Sequence, residues 1–342
     1  MFGYFPGDRV PRQRAPHRFT PSVRIRTGPC AGNVQPVGKS RVDEDPDRLA
    51  LLNNGKEITY AAFACAIEAT RSHLMGAGLP DYGVIVRLDS DFYHDWVLIL
   101  AVRSLGLTVA SAPSWPDIER LDIEDITGLV CLSAEEPSME PIRTLRPDLA
   151  IVVVPLRILY PAVMPDLPSL LPDSTFGDQI ACTSGTTGGF KKILRDGNAF
   201  DQAFIHHDCG LIEQHLGPGH FLHCHEFETW SGPGYWNPMV CWLKGATAIF
   251  DQRPDRDEHF NDYPVNIAFV IPGRLPRLKA IIASRPADYP PLKLQIGGGF
   301  VNSDTVVDMI DAPNVELYVV YGGTEFGIAA MNVVHSTDDL VW

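Results

Sequence analysis

The stretch ACTSGTTGGFKKI, residues 181–193, puts four hydroxyl side chains, three glycines and two lysines directly behind the short apolar run QIAC. A strand that empties into such a loop is suited to gripping anionic oxygens. Glycines let backbone N–H groups turn inward, hydroxyls donate without adding charge, and a lysine supplies the positive charge a phosphate needs. A Walker loop has glycine before its lysine and Ser or Thr after it, whereas Phe190 precedes Lys191 here and Lys192 follows. The pattern predicts a phosphate cradle of another kind; taken alone, SGTTG also suits a polar surface loop.

The rest of the chain narrows the choice. At 342 residues and 45% hydrophobic content it can bury a sizeable core. A net charge of −14 argues against nucleic acid or an anionic membrane as partner, so phosphate binding has to be local. The longest apolar run, WVLILAV, is cut by Arg103, too short to span a bilayer. The N-terminus has basic residues but no apolar segment after them, which predicts no secretory signal and a cytoplasmic protein. Seven scattered cysteines without a CxxC pair fit reduced, buried thiols.

Residues 1–45, rich in Pro, Arg and Gly, read as an irregular N-terminal arm, and residues 46–342 as one large domain. Thr59 caps an amphipathic stretch that stops at Gly76. VIVRL, a helical segment from Phe92 to Leu105, and LTVASA then form a βαβ unit. The alternation continues through GLVCLS, AIVVV, QIAC, a helix over 198–216, a strand near His220, a helix near Asn237, ATAIF, NIAFVI, LKLQI and VELYVV. This predicts an α/β fold of mainly parallel sheets flanked by helices, with its site where strand C-termini meet loops.

Two later stretches repeat the device of the opening one. LQIGGGFV (294–301) and LYVVYGGTEFG (317–327) each place glycines at the end of an apolar strand. With TSGTTGGFKK, GGGFV and YGGTE in that order, the sequence resembles the adenylate-forming superfamily of acyl-CoA synthetases, peptide-synthetase adenylation domains and luciferases. EITYAAF, the early βαβ unit and KGATAIF extend the likeness over most of the chain.

The resemblance implies the large N-terminal domain of such enzymes and ATP-dependent activation of a small carboxylic acid to acyl-AMP, with Mg²⁺. Thr183, Ser184, Gly185, Thr186, Thr187, Gly188 and Lys191 would then hold the β- and γ-phosphates, with Lys192 as the alternative lysine. Tyr321 and Gly322 would meet the adenine, and Gly297, Gly298 and Gly299 would pass close to the base and the acyl pocket. Thr324 would touch the α-phosphate and Glu325 would hold the metal. CoA, a carrier protein or neither remains open as acyl acceptor.

In FLHCHEFETW (221–230), His223 or His225 is similar to the family's residue gating the acyl pocket, and Trp230 is a candidate pocket wall. The same histidines beside Cys224 suggest a metal site, but in a strand His223 and His225 share a face that Cys224 opposes, so no metal is expected there. The family's loop has Pro and Gly where this chain has Phe190 and Lys192. Family members also continue past YGxTE to a ribose-binding Asp and a small lysine-bearing domain, whereas this sequence stops at Trp342. A separately supplied small domain, or a binding module with reduced catalysis, is the alternative to an enzyme complete in itself.

Overall fold

In the computed structural model two sheets face each other across a layer of helices. Described are residues 23–24, 45–89, 91–121, 123, 125–132, 139–161, 176–184, 190–197, 215–253 and 257–340. The first sheet contains β1 (Val23–Arg24), β4 (Gly83–Arg87), β5 (Thr108–Ala112), β6 (Gly128–Cys131), β7 (Ala150–Val153), β8 (Gln179–Ser184) and β9 (Phe190–Arg195), in the order β1-β9-β8-β5-β4-β6-β7. The second contains β2 (Leu49–Asn53), β3 (Lys56–Thr59), β10 (Phe221–His223), β11 (Thr247–Phe250), β12 (Val265–Val270), β13 (Leu292–Ile296), β14 (Val315–Gly323) and β15 (Gly327–Val334), in the order β15-β14-β13-β12-β10-β11-β2-β3. The helices are α1 (Tyr60–Met75), α2 (Phe92–Ser104), α3 (Trp115–Leu121), α4 (Met139–Leu145), α5 (Gly232–Leu243), α6 (His259–Asp262), α7 (Leu275–Ala283) and α8 (Ser303–Ile310).

Most strand pairs are parallel, as the alternation predicts. The exceptions are β2/β3, β8/β9 and β14/β15, which are antiparallel. The β2/β3 hairpin turns on Asn54 and Gly55, both at positive φ (52° and 79°), the geometry that matches strand twist in a two-residue turn. Thr59 caps α1 by accepting from the Ala62 N–H at 3.1 Å. Asp91 caps α2 in the same way, accepting from Tyr93 and His94. The predicted helix over 198–216 lies almost wholly outside the described residues.

Every residue of α2 except His94 is buried. A helix without a polar stripe has to be enclosed on all sides, and α2 lies with α1 and α5 in the core between the sheets. Trp96 and Trp242 meet there edge to face, centroids 4.9 Å apart, and Trp242 donates its indole N–H to Ala50 O at 2.9 Å. Arg103, also buried, donates to Gly177 O at 2.8 Å and to the Tyr235 hydroxyl, and stacks on Phe176. Its charge is held by hydrogen bonds and ring faces rather than by water.

Two further clusters cover the outer faces, one under the second sheet with α7 and α8, the other against the first sheet with α3. Cys65, Cys131, Cys182, Cys224 and Cys241 are buried thiols. Among the described residues no helix is long and apolar enough to cross a membrane.

Candidate functional site

The cradle motif forms a hairpin between two strands of the first sheet. β8 runs through Thr183 and Ser184, and β9 starts at Phe190. Gly185, Thr186, Thr187 and Gly188 lie outside the described residues, as does the Ser184 side chain. Thr183 pairs with Lys191, and Cys182 with Lys192. Cross-strand partners share a face and successive residues alternate, which separates the two lysines. Lys192 donates to Leu121 O at 2.7 Å, on the side of the first sheet where Cys182 is packed. Lys191 points the other way, 66% exposed.

The second and third motifs lie on neighbouring parallel strands of the other sheet. β13 ends at Ile296 and opens into Gly297, Gly298 and Gly299. The first two of these glycines are required by geometry. A Cβ on Gly297 would stand 2.8 Å from Val320 O, and Gly298 adopts φ +75° with the Phe227 ring 3.0 Å from its missing Cβ. Next to that turn, β14 carries Tyr321 and Gly322 at an irregularity in its pairing with β15. Tyr321 is 64% exposed, so its ring is not a core aromatic. Thr324 and Glu325 form the turn between β14 and β15.

Motifs from different sheets meet here. Lys191 Nζ lies 3.6 Å from Glu325 Oε1, although they are far apart in sequence and belong to opposite sheets. An exposed pair of this kind adds little stability. Its value is positional: it brings together a cation from one sheet and a carboxylate from the other.

The segment Phe227–Gly232 is the seam that joins the motifs. Phe227 packs on Gly298 and on Phe269, centroids 4.9 Å apart. Trp230 accepts the Cys182 N–H on its carbonyl at 2.8 Å, and its ring lies 5.8 Å from that of Phe190. Gly232 approaches Thr324 so closely that a Cβ would stand 2.9 Å from the Thr324 Oγ1. Of these residues sequence reasoning named Trp230 as a site residue. The signal it missed was a glycine, Gly232, at the start of a helix facing another motif.

His223 and His225 are both buried, with rings 4.1 Å apart. His223 Nδ1 lies 2.9 Å from His259 Nε2, and His223 Nε2 lies 3.5 Å from Glu226 Oε1. Burial pushes the Glu226 carboxyl up, but hydrogen bonding to His223 and the positive charge of Arg274 together hold it below the usual range. Arg274 pairs with Glu226 at 2.8 Å and with fully buried Asp257 at 2.6 Å.

A separate acidic group lies at the N-terminal end of α2. Burial pushes the Asp95 carboxyl well above the carboxylate range, and Asp89, Glu228 and Asp91 add to that push against a hydrogen bond from the Asp89 N–H. Burial also raises Glu228, in the seam itself.

No protein-family model and no curated protein matches the sequence. Solved structures do match. The N-terminal subdomain of NpsA from Klebsiella oxytoca, in complex with 3-hydroxybenzoyl-AMSN, superimposes with TM-score 0.67 at 17% identity, covering 90% of this chain and 76% of that one. ATP-bound MatB from Rhodopseudomonas palustris gives TM-score 0.65 at 17% identity over 87% of this chain and 61% of that one. The o-succinylbenzoate CoA synthetase MenE from Bacillus subtilis, bound with the product analogue OSB-NCoA, gives 0.65 at 16% identity over 85% and 59%. The chain therefore has the fold of the N-terminal domain of adenylation domains and acyl-CoA synthetases, and spans about three fifths of the MatB and MenE chains.

Proposed function

We propose that this chain activates a carboxylic acid with ATP, giving acyl-AMP and pyrophosphate. The observation that carries the reading is the meeting of Lys191 and Glu325 across 3.6 Å from two different sheets, with Thr183 on the face of Lys191 and Tyr321 exposed on β14. It is supported by structural likeness to proteins solved with ATP and with acyl-adenylate analogues.

In this reaction a carboxylate oxygen forms a bond to the α-phosphorus as the bond to the pyrophosphate oxygen breaks, and that electron pair leaves with pyrophosphate. The nucleophile is already anionic, so the protein needs no general base. Its task is alignment and neutralisation of phosphoryl charge. Lys191 would neutralise the leaving phosphates, with the Thr183 hydroxyl, on the same face, as a further donor. Tyr321, 64% exposed, would offer its ring to the adenine, Gly297 to Gly299 would leave room along the base, and Thr324 would donate toward the α-phosphate. Glu325, a half-buried carboxylate, would hold Mg²⁺, which supplies further charge neutralisation when bound.

CoA or a carrier protein as acceptor is a second half-reaction, favoured by the CoA-analogue complex of MenE. The test is ATP–pyrophosphate exchange with Mg²⁺ across a panel of carboxylic acids. Acid-dependent exchange is expected, reduced by Lys191→Ala and Glu325→Ala roughly 10² to 10³-fold, the usual cost of removing one charge-stabilising group. ATP binding without exchange for any acid would leave a nucleotide-binding module instead of an enzyme.

A further inference from the structure

We infer a buried transition-metal site, formed by His223, His225 and His259, that takes a borderline cation of the Zn²⁺ class and ties the exit of β10 to α6. The nitrogens of these three rings lie within 4.8 Å of one another, and all three residues are buried. His223 Nδ1 and His259 Nε2 face each other at 2.9 Å. Two imidazole lone pairs cannot face at that distance with nothing between them, so a proton or a cation bridges the pair. A tetrahedral Zn²⁺ with bonds of about 2.0 to 2.1 Å separates two ligand nitrogens by about 3.3 Å. The ring centroids are 5.0 Å apart, so the two nitrogens point almost straight at each other, and seating the ion requires both rings to turn as the pair opens by a few tenths of an ångström.

The surroundings have the features of an outer shell. When His223 binds by Nδ1, its Nε2–H faces Glu226 Oε1 at 3.5 Å, the carboxylate–histidine–metal arrangement that fixes tautomer and raises ligand basicity. Glu226 is held in turn by Arg274, which also holds Asp257, and Arg277 Nε lies 2.7 Å from the other Asp257 oxygen. His225, Glu226 and Asp257 form a second group of mutually close ligand atoms, so the three rings are bordered by acidic side chains. His225 is the adaptable member: its Nδ1 accepts the Asp251 N–H at 3.3 Å, a long bond given up when its Nε2 lone pair is used for metal. Cys224 takes no part, because strand alternation turns it into the core between the sheets. The third ligand is 34 residues beyond His225, outside the stretch 221–230 in which the opposed faces of Cys224 and the two histidines argued against a metal.

This site does not touch Lys191, Tyr321 or Glu325 in any contact described above, and its test needs neither ATP nor acid, so it stands or falls apart from the proposed reaction. Untagged protein expressed with zinc in the medium is dialysed and its metal content measured. About one Zn²⁺ per chain is expected, with a melting temperature that falls on chelation and recovers when Zn²⁺ is returned. His259→Gln and His223→Gln should lose stoichiometric zinc, and Glu226→Gln should weaken it by roughly 10 to 100-fold, with circular dichroism checking that each variant folds. Zinc well below stoichiometry in the wild-type protein overturns the inference, as does zinc retained by folded His259→Gln and His223→Gln. Should the variants not fold, Co²⁺ added to the wild-type protein decides: intense visible bands of tetrahedral nitrogen coordination support the site, and the weak spectrum of hydrated cobalt overturns it.

Discussion

Lys191 and Lys192 are chemically identical and adjacent, yet β9 gives them different work. Alternation along the strand sends the Lys192 ammonium to Leu121 O and leaves the Lys191 ammonium facing Glu325. A sequence reading that stops at "two lysines after the loop" cannot choose between them. Knowing that Thr183 pairs with Lys191 chooses at once. Lys192→Ala is therefore expected to leave acid-dependent exchange nearly unchanged while lowering stability by about 1.5 to 3 kcal/mol, the scale of a hydrogen bond from a charged group, as read by urea unfolding. Loss of exchange in Lys192→Ala with full exchange in Lys191→Ala would reverse the assignment. Asp95 makes a different kind of prediction. Its folded-state pKa is raised above the unfolded value, chiefly by burial, so the folded protein holds that proton more tightly than the unfolded chain. Stability is then lost as pH rises from the unfolded pKa toward the folded one. Asp95→Asn keeps an oxygen for the Asp89 N–H and removes the titration. The variant is expected to melt higher than wild type at neutral pH, with the difference shrinking toward pH 4; a constant difference across that range would refute the burial account.

Several elements were legible in advance because their signals are local. Thr59 caps α1 and the segment from Phe92 is helical, both as the sequence predicts. The β9 strand was not legible: FKKILR lacks strict alternation, and its pairing with β8 is what makes it a strand. Of the seam Phe227–Gly232 the sequence pointed to Trp230 but not to the joining role of the segment. Its residues matter through contacts with Gly298, β8 and Thr324, each distant in the chain. This seam predicts that Gly298→Val acts on function as well as fold. At φ +75° a β-branched residue costs about 1 to 3 kcal/mol, and its side chain would press on Phe227. Urea unfolding should show that loss, and acid-dependent exchange should fall even at temperatures where the variant is fully folded. Exchange at wild-type level in a folded Gly298→Val would mean that the turn does not border the site.

At the scale of the whole molecule, Lys191 and Glu325 meet only because the two sheets close on the layer of α1, α2 and α5. The order of motifs along the chain signalled a nucleotide site, but which sheet carries which motif was beyond sequence periodicity. The hairpin of β8 and β9 comes from one sheet, and the ends of β13 and β14 from the other. A nucleotide held between them has to touch both. Hydrogen–deuterium exchange with and without Mg²⁺-ATP measures this most directly. The account predicts slowed exchange together in the segments 183–195, 296–300 and 321–326. Slowing confined to one sheet's segments, with ATP shown by calorimetry to be bound, would contradict it.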